Sequence, residues 1–77
     1  MPDQPIDRLD GAVVIIGAGL VGASIGCALT AAGYQVHLED RVPSHAIVAA
    51  GRGAGVVTAA SPASVRLVVV ATPPASV

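Results

Sequence analysis

Residues 13–22 read VVIIGAGLVG, and this stretch decides the fold. Its β-branched residues favour a buried strand over 12–16, and the closely spaced glycines that follow predict a tight turn over 17–22. A helix is predicted over 23–32, with Gly33 as the left-handed residue just past its end. The helix face that the spacing assigns to the core consists of Ile25, Ala28, Leu29 and Ala32.

The rest of the chain continues this alternation of strands and helices. Further elements are predicted as strands over 35–39, 55–58 and 67–71, a helix over 44–50 and a short helical turn opened by Ser61-Pro62. Pro43 and Ser44 begin the second helix, with Ser44 as its N-cap. Strands that alternate with crossover helices pair in parallel, so the order predicts an α/β fold.

The turn over 17–22 matches the pattern G-x-G-x-x-G. The pattern becomes specific here because it directly joins a predicted strand to a predicted helix, which is the context of a dinucleotide-binding site. Gly17 permits the turn, Gly19 lets backbone approach a pyrophosphate, and Gly22 lets the helix pack on the strand. The alternative is that the glycines serve packing alone. The predicted cofactor-binding positions of this loop are Gly17, Ala18, Gly19, Leu20, Val21 and Gly22.

An acidic residue ends the second predicted strand. Asp40 follows Gly17 at close to the spacing of about 20 residues expected for a carboxylate that binds the adenosine ribose. Side chains alternate along a strand, so only one of Glu39 and Asp40 can point to the ribose, and we predict Asp40. A carboxylate repels a 2′-phosphate, which favours NAD over NADP. Arg41 keeps NADP open, because it could meet that phosphate or stack on adenine.

The segment ATPP at residues 71–74 follows the last predicted strand. In a doubly wound sheet, ligands lie outside the carboxyl ends of the strands where the strand order reverses. The first and last predicted strands flank that point. Ala71, Thr72 and Pro73 are therefore predicted to line the ribose and nicotinamide side of the cofactor, unless the prolines only stop the strand.

These patterns together predict a Rossmann-like, doubly wound parallel sheet of which the N-terminal part is present, with about four strands and two helices. Residues 1–10 are expected to form a flexible arm, and residues 11–77 a partial dinucleotide-binding domain. The strands near 13–16 and 67–70 are apolar at consecutive positions, as strands covered on both faces are. Right-handed crossovers put both helices on one face. The other face is expected to be bare, so that the chain binds a hydrophobic dye or self-associates.

Composition excludes several classes of protein. The chain has 77 residues with 4 basic and 5 acidic side chains, a balance that excludes an electrostatic nucleic-acid binder. One cysteine and two scattered histidines indicate neither an internal disulfide nor a metal site. A hydrophobic content of 53% excludes disorder. The uncharged run over 11–36 is long enough to span a membrane, but its glycines and acidic flank favour a buried strand and helix.

Four further side chains receive structural interpretations. His37 is expected to be a packed or edge residue and His45 to be solvated. Cys27 is expected to be a small buried hydrophobe, and Ser24 to bond a carbonyl of the preceding turn. No residue of the chain is predicted to be catalytic.

The sequence VIIGAGLVGASIG at residues 14–26 resembles the N-terminal fingerprint of prephenate and arogenate dehydrogenases. The sequence LVVVATPP at residues 67–74 is similar to that family's fourth strand and following loop. Many other β-hydroxyacid dehydrogenases have methionine before the third glycine, where this chain has Val21. The resemblance covers about residues 12–77, which is less than half of a complete family member.

The resemblance implies NAD-dependent oxidative decarboxylation of prephenate to 4-hydroxyphenylpyruvate in tyrosine biosynthesis. It also implies a cytoplasmic, homodimeric complete enzyme with prephenate or arogenate as substrate and no nucleic-acid or membrane partner. The family's catalytic histidine and basic substrate-binding residues lie beyond its fourth strand, so the chain alone is expected to be inactive. Three other hypotheses stay open: an FAD-binding segment of another oxidoreductase, a small non-catalytic dinucleotide-binding module and a membrane peptide.

Overall fold

The computed structural model describes residues 11–72. Its elements in chain order are β1 (Ala12–Ile16), α1 (Leu20–Ala31), β2 (Gln35–Glu39), α2 (Pro43–Gly51), a 3₁₀ turn (Pro62–Ser64) and β3 (Val65–Val70). The three strands form one sheet in the order β2-β1-β3, and both pairings are parallel. This arrangement confirms the predicted N-terminal, Rossmann-like α/β fold. The predicted arm over 1–10 and the two prolines at 73 and 74 lie outside the described residues.

The strand predicted over 55–58 was wrong. That segment makes one isolated parallel bridge, between Val56 and His37, and two backbone hydrogen bonds of 2.8 and 3.0 Å hold Val56 against β2. Beyond that bridge, the Thr58 carbonyl accepts a hydrogen bond from the His37 ring, with Nδ1 at 2.7 Å. Val56 still lies on the side of β2 away from β1.

Helix α1 begins three residues earlier than predicted, at Leu20 with Gly19 as its N-cap. The Ala23 N–H donates to the Gly19 carbonyl at 2.8 Å, which makes the second half of the glycine motif the first helical turn. At the other end Gly33 has φ +94°, as predicted. The Tyr34 N–H donates to the Leu29 carbonyl at 3.0 Å across it, which completes a Schellman motif.

The inner face of α1 centres on Gly22 and Gly26, the two buried residues of the helix. Ile25 and Leu29 pack against the core as predicted, but Ala28 and Ala32 are exposed and that part of the prediction was wrong. The two glycines face the backbone of Gly17 and of Ala54, where the absence of a Cβ allows the closest approach of backbone to backbone.

Helix α2 has Val42 as its N-cap and Pro43 as its first residue, so the prediction that Ser44 caps it was wrong. Proline suits the first helical position because its fixed φ is already helical and its missing N–H is not needed there. The cap therefore falls on the residue before Pro43.

The core lies on one face of the sheet. Alternate residues of β1 and β2 meet small residues of the helices and of the segment after α2 there, and the buried members of this cluster are Val13, Ile15, Ala18, Val36, Leu38, Ala46, Ala49 and Ala54. Ala46 and Ala49 of α2 belong to this cluster, and partly buried residues of α1 pack against it, so both helices lie on the same face, as predicted.

The opposite face is only partly covered within residues 11–72. Val68 and Val70 of β3 are 49% and 63% exposed, which agrees with the expectation that this face is bare in the chain, although the apolar run alone is typical of a strand covered on both faces. Strand β1 lies between two strands and is buried on both sides, with Val14 only 6% exposed. The two strands differ in burial because of their positions in the sheet and not because of their composition.

Candidate nucleotide-binding site

The glycine loop joins β1 to α1 and turns at Gly17, which has φ +98°. Its N–H donates to the Glu39 carbonyl at 2.7 Å, which fixes the loop to the end of β2. A Cβ built on Gly17 would meet the backbone of Ala71 and Thr72 at 3.0 Å. Only glycine allows this approach, and it places the loop against the segment that follows β3.

Gly19 has an open outer side. A Cβ built there would meet nothing within 4 Å, and no side chain caps α1. The N–H groups of the first helical turn have no intrahelical partner, and the helix dipole adds partial positive charge at this end. The first turn contains no acidic residue. An anion could therefore come directly against backbone N–H groups here.

The remaining loop residues divide between packing and the open surface. A Cβ on Gly22 would collide with the Gly17 carbonyl, so this glycine serves the close packing of α1 on the loop. Leu20 and Val21 are 82% and 63% exposed. Their backbone belongs to the open end of the helix, while their aliphatic side chains flank it.

Asp40 joins the glycine loop to the start of α2. One carboxylate oxygen accepts from the Ala18 N–H at 2.8 Å, and the other accepts from the Val42 N–H at 2.8 Å. These two backbone donors, Val42 first, hold the pKa of Asp40 below its ordinary value, and His45 adds a smaller lowering. Asp40 is thus ionised at neutral pH. Of the two acidic neighbours Glu39 and Asp40, it is Asp40 that faces the glycine loop.

The carboxyl ends of β1 and β3 meet at the far side of the loop. The Ala71 N–H donates to the Ile16 carbonyl at 2.8 Å, and Ala71 and Thr72 are both half-buried. The structure therefore brings these two predicted residues together with the glycine loop. Arg41 is exposed, and Pro73 lies outside the described residues.

Comparison with known proteins agrees with this geometry. Residues 13–75 match the family model of ketopantoate reductase PanE/ApbA. The chain belongs to this family. It is also 44% identical over 64 residues to a probable prephenate dehydrogenase, NovF, of Streptomyces niveus. That match confirms the resemblance found in the sequence. It covers 83% of this chain but only 17% of NovF. No solved structure matches.

Sequence reasoning missed a pocket of about 330 Å³ between α1 and α2, which we call the interhelical pocket. Ala18 and Gly19 form its loop side. Ser44 and His45 line it from α2, and Arg52 lines it just past the end of that helix. His45 was expected to be solvated, and its side chain is 54% exposed, but Nδ1 also lies 3.3 Å from an Asp40 carboxylate oxygen. The sequence signal for this side of the pocket was the placement of Asp40 just before, and His45 just after, the start of α2.

The other singled-out side chains have structural contacts. His37 is buried as expected, with the Gln35 amide nitrogen 3.1 Å from Nε2. The Ser24 hydroxyl donates to the Leu20 carbonyl at 2.9 Å, as predicted. Cys27 is only half-buried, contrary to expectation, and its thiol donates to the Arg52 carbonyl at 3.6 Å.

Two other searches of the described residues bear on function. No group of three or more histidine, cysteine or carboxylate residues between 11 and 72 could hold a metal ion. Within the same range, neither helix has the length and apolarity needed to cross a membrane.

Proposed function

We propose that this chain is the dinucleotide-binding segment of an NAD-dependent prephenate dehydrogenase. The observation that carries the proposal is the open backbone at Gly19, at the uncapped start of α1 and directly beside the ionised Asp40. Family membership and the similarity to NovF support the proposal independently of the site geometry.

The pyrophosphate is assigned to the glycine loop. The N–H groups of Leu20 and Val21 lie in the first helical turn, and Gly19 adds no Cβ in front of them. Backbone donors at a helix start hold phosphate without a charged side chain. This part of the site has no acidic residue to repel the ligand.

The adenosine ribose is assigned to Asp40. An ionised carboxylate has about four lone-pair positions and accepts only, so the two bonds from Ala18 and Val42 leave capacity for ribose hydroxyls. The nicotinamide side is assigned to Ala71 and Thr72, and to Pro73 by its place in the sequence. Bound NAD would supply the hydride acceptor, and no described residue is assigned a catalytic role.

The finer parts of the proposal follow from resemblance alone. Prephenate or arogenate as the substrate follows from the residue pattern, and the name of NovF supports prephenate. The cytoplasmic location and the homodimeric complete enzyme rest on the residue pattern alone. The chain spans 17% of the length of NovF, and we assign none of its described residues to the substrate.

Titration calorimetry with NAD and with FAD tests the nucleotide assignment. We expect NAD to bind with one site per chain, and ADP-ribose to bind similarly because it keeps both phosphates and the ribose at Asp40. FAD is expected to bind at least tenfold more weakly, a difference of about 1.4 kcal/mol. Stronger binding of FAD than of NAD would move the chain to the flavoprotein alternative.

A further inference from the structure

Another cavity, of about 450 Å³, lies between β2 and the segment that follows α2, and we call it the edge cavity. It is found where the segment at 55–58 makes only one isolated bridge to β2 in place of a paired strand. Its volume is within the range of about 300–1,000 Å³ that is usual for small-molecule sites. No residue of the glycine loop lines it, and neither does Asp40. The edge cavity is therefore separate from the candidate nucleotide-binding site.

The lining of the edge cavity combines apolar walls with neutral hydrogen-bonding groups. Among the residues that the structure describes, no carboxylate, lysine or arginine lines it. Its aromatic and aliphatic members are Tyr34, Val36 and Val56, and its polar members include Gln35, His37 and Thr58. A charged ligand would lose water here without gaining a counter-charge, which is costly. The lining therefore favours a neutral ligand.

His37 is a buried polar side chain of this lining, with only 5% of its surface exposed. Its Nδ1 lies 2.7 Å from the Thr58 carbonyl oxygen, which can only accept, so the ring hydrogen is on Nδ1. Its Nε2 lies 3.1 Å from the Gln35 amide nitrogen, which can only donate. The two contacts together make Nε2 a hydrogen-bond acceptor that faces Gln35.

Gln35 is the exposed partner of this pair and the first residue of β2. Its amide can leave His37 and bond water instead, because the exchange of one hydrogen bond for another changes the free energy little. An N–H or O–H group of a ligand can then donate to Nε2 in place of the amide. The bond from Nδ1 to the Thr58 carbonyl would stay and would hold the ring in the same orientation.

We propose that the edge cavity binds a neutral, planar ring compound whose single N–H or O–H donor replaces the Gln35 amide on His37 Nε2. The ring packs against Tyr34, Val36 and Val56, because an aromatic and an aliphatic wall suit a flat apolar body. The edge cavity shares no lining residue with the interhelical pocket or the glycine loop. The ligand therefore binds whether or not a nucleotide is present, and the inference does not depend on the proposed function.

The test is titration of the chain with indole and with 1-methylindole, followed by NMR of the imidazole nitrogens. The two probes have the same ring system, but only indole has an N–H donor. The chain has two histidines, so the His45 resonances report non-specific effects beside those of His37. We expect indole to shift the His37 Nε2 resonance, to leave His45 unchanged and to bind at least fivefold more tightly than 1-methylindole.

Gln35→Ala removes the amide that competes for Nε2. This variant should bind indole at least threefold more tightly than the wild type and should keep its affinity for 1-methylindole within twofold. Glu39→Gln is the matched control, because Glu39 is exposed on the same strand and does not line the edge cavity. It should bind both probes as the wild type does. An excess of NAD should leave the His37 shift produced by indole unchanged.

Several results would overturn the site. Equal affinities for the two probes, or indole binding without a shift at His37, would show that the buried ring does not receive a donor from the ligand. Indole affinity that is unchanged or weaker in Gln35→Ala would contradict the exchange with the amide. Displacement of indole by NAD would assign the probe to the nucleotide site. Indole binding at His37 in a chain that does not bind NAD would overturn the proposed function and leave this inference standing.

Discussion

Asp40 accepts hydrogen bonds from the N–H groups of Ala18 and Val42, which belong to two different loops. Spacing predicted that Asp40 follows β2 near the glycine loop, because the distance from a glycine turn to the end of the next strand is set by one helix and one short strand; its contact with a ribose stays a prediction. Its bonds to the loops could not be predicted, since they depend on where the chain turns after β2. The side chain therefore positions the glycine loop before any ligand is bound.

Replacing Asp40 with asparagine should destabilise the fold by about 1.5–3 kcal/mol at neutral pH, the range for hydrogen bonds to a charged group. The pKa of Asp40 is lowered from 3.8 in the folded state. Its contribution is therefore present above about pH 4 and is lost as the pH falls through the lowered folded value. Urea unfolding at pH 7 and at pH 3 measures both effects.

Glu39→Gln is the control for that experiment, because Glu39 is the exposed neighbour on the same strand. We expect it to change the free energy of unfolding by less than about 0.5 kcal/mol. A difference between wild type and Asp40→Asn that did not shrink at pH 3 would show that the carboxylate charge does not hold the loop.

At the scale of elements, the sequence predicted the strands with β-branched runs and the ends of the helices. It did not predict the first residue of each helix or the buried face of α1. β1 and β2 have the expected bounds because hydrophobic and β-branched residues are concentrated there. The start of α1 was predicted too late because glycines are usually interpreted as turn residues. Gly22 is instead helical, and its missing Cβ leaves room for the Gly17 carbonyl. The segment at 55–58 has residues typical of a strand, but it makes only one isolated bridge to β2, and its Thr58 carbonyl bonds the His37 ring.

Glycines at helix contacts give a direct test of this packing. A Cβ on Gly26 would meet the Ala54 carbonyl oxygen, so Gly26→Ala must push α1 away from the segment after α2. Overpacking of this kind costs about 1–3 kcal/mol. Gly51→Ala is the matched control, because its Cβ would meet nothing within 4 Å and alanine favours helix. Thermal unfolding should show opposite shifts for the two variants; equal shifts would contradict the packing.

At the scale of the whole molecule, both helices cover one face of the sheet, and β3 leaves Val68 and Val70 exposed on the other. The sequence predicted that both helices lie on one face of the sheet, because crossovers between parallel strands are right-handed and the prediction needs only the order of the elements. The exposure of β3 on that face was expected from the order of strands and helices, although its residues are as apolar as those of β1 and do not show it by themselves. The expectation of dye binding or self-association rests on this uncovered face.

The site lies at the carboxyl edge of that sheet, where the glycine loop, Asp40 and the segment at 71–72 converge. Each part was visible in the sequence because each follows a strand, and parallel strands end at one edge. The interhelical pocket was not visible, since it depends on how α2 lies against α1. The central claim is that the open backbone at Gly19 contacts the nucleotide.

The most direct measurement of that claim is the NAD affinity of Gly19→Ala beside that of Gly51→Ala. Gly19 has φ −72°, and a Cβ at either position would meet nothing within 4 Å of the protein, so both variants should fold as the wild type does. A methyl group at Gly19 would lie between the backbone and the pyrophosphate. We predict an affinity for NAD at least tenfold weaker in Gly19→Ala and unchanged in Gly51→Ala. Equal NAD affinities in the two variants would contradict the account.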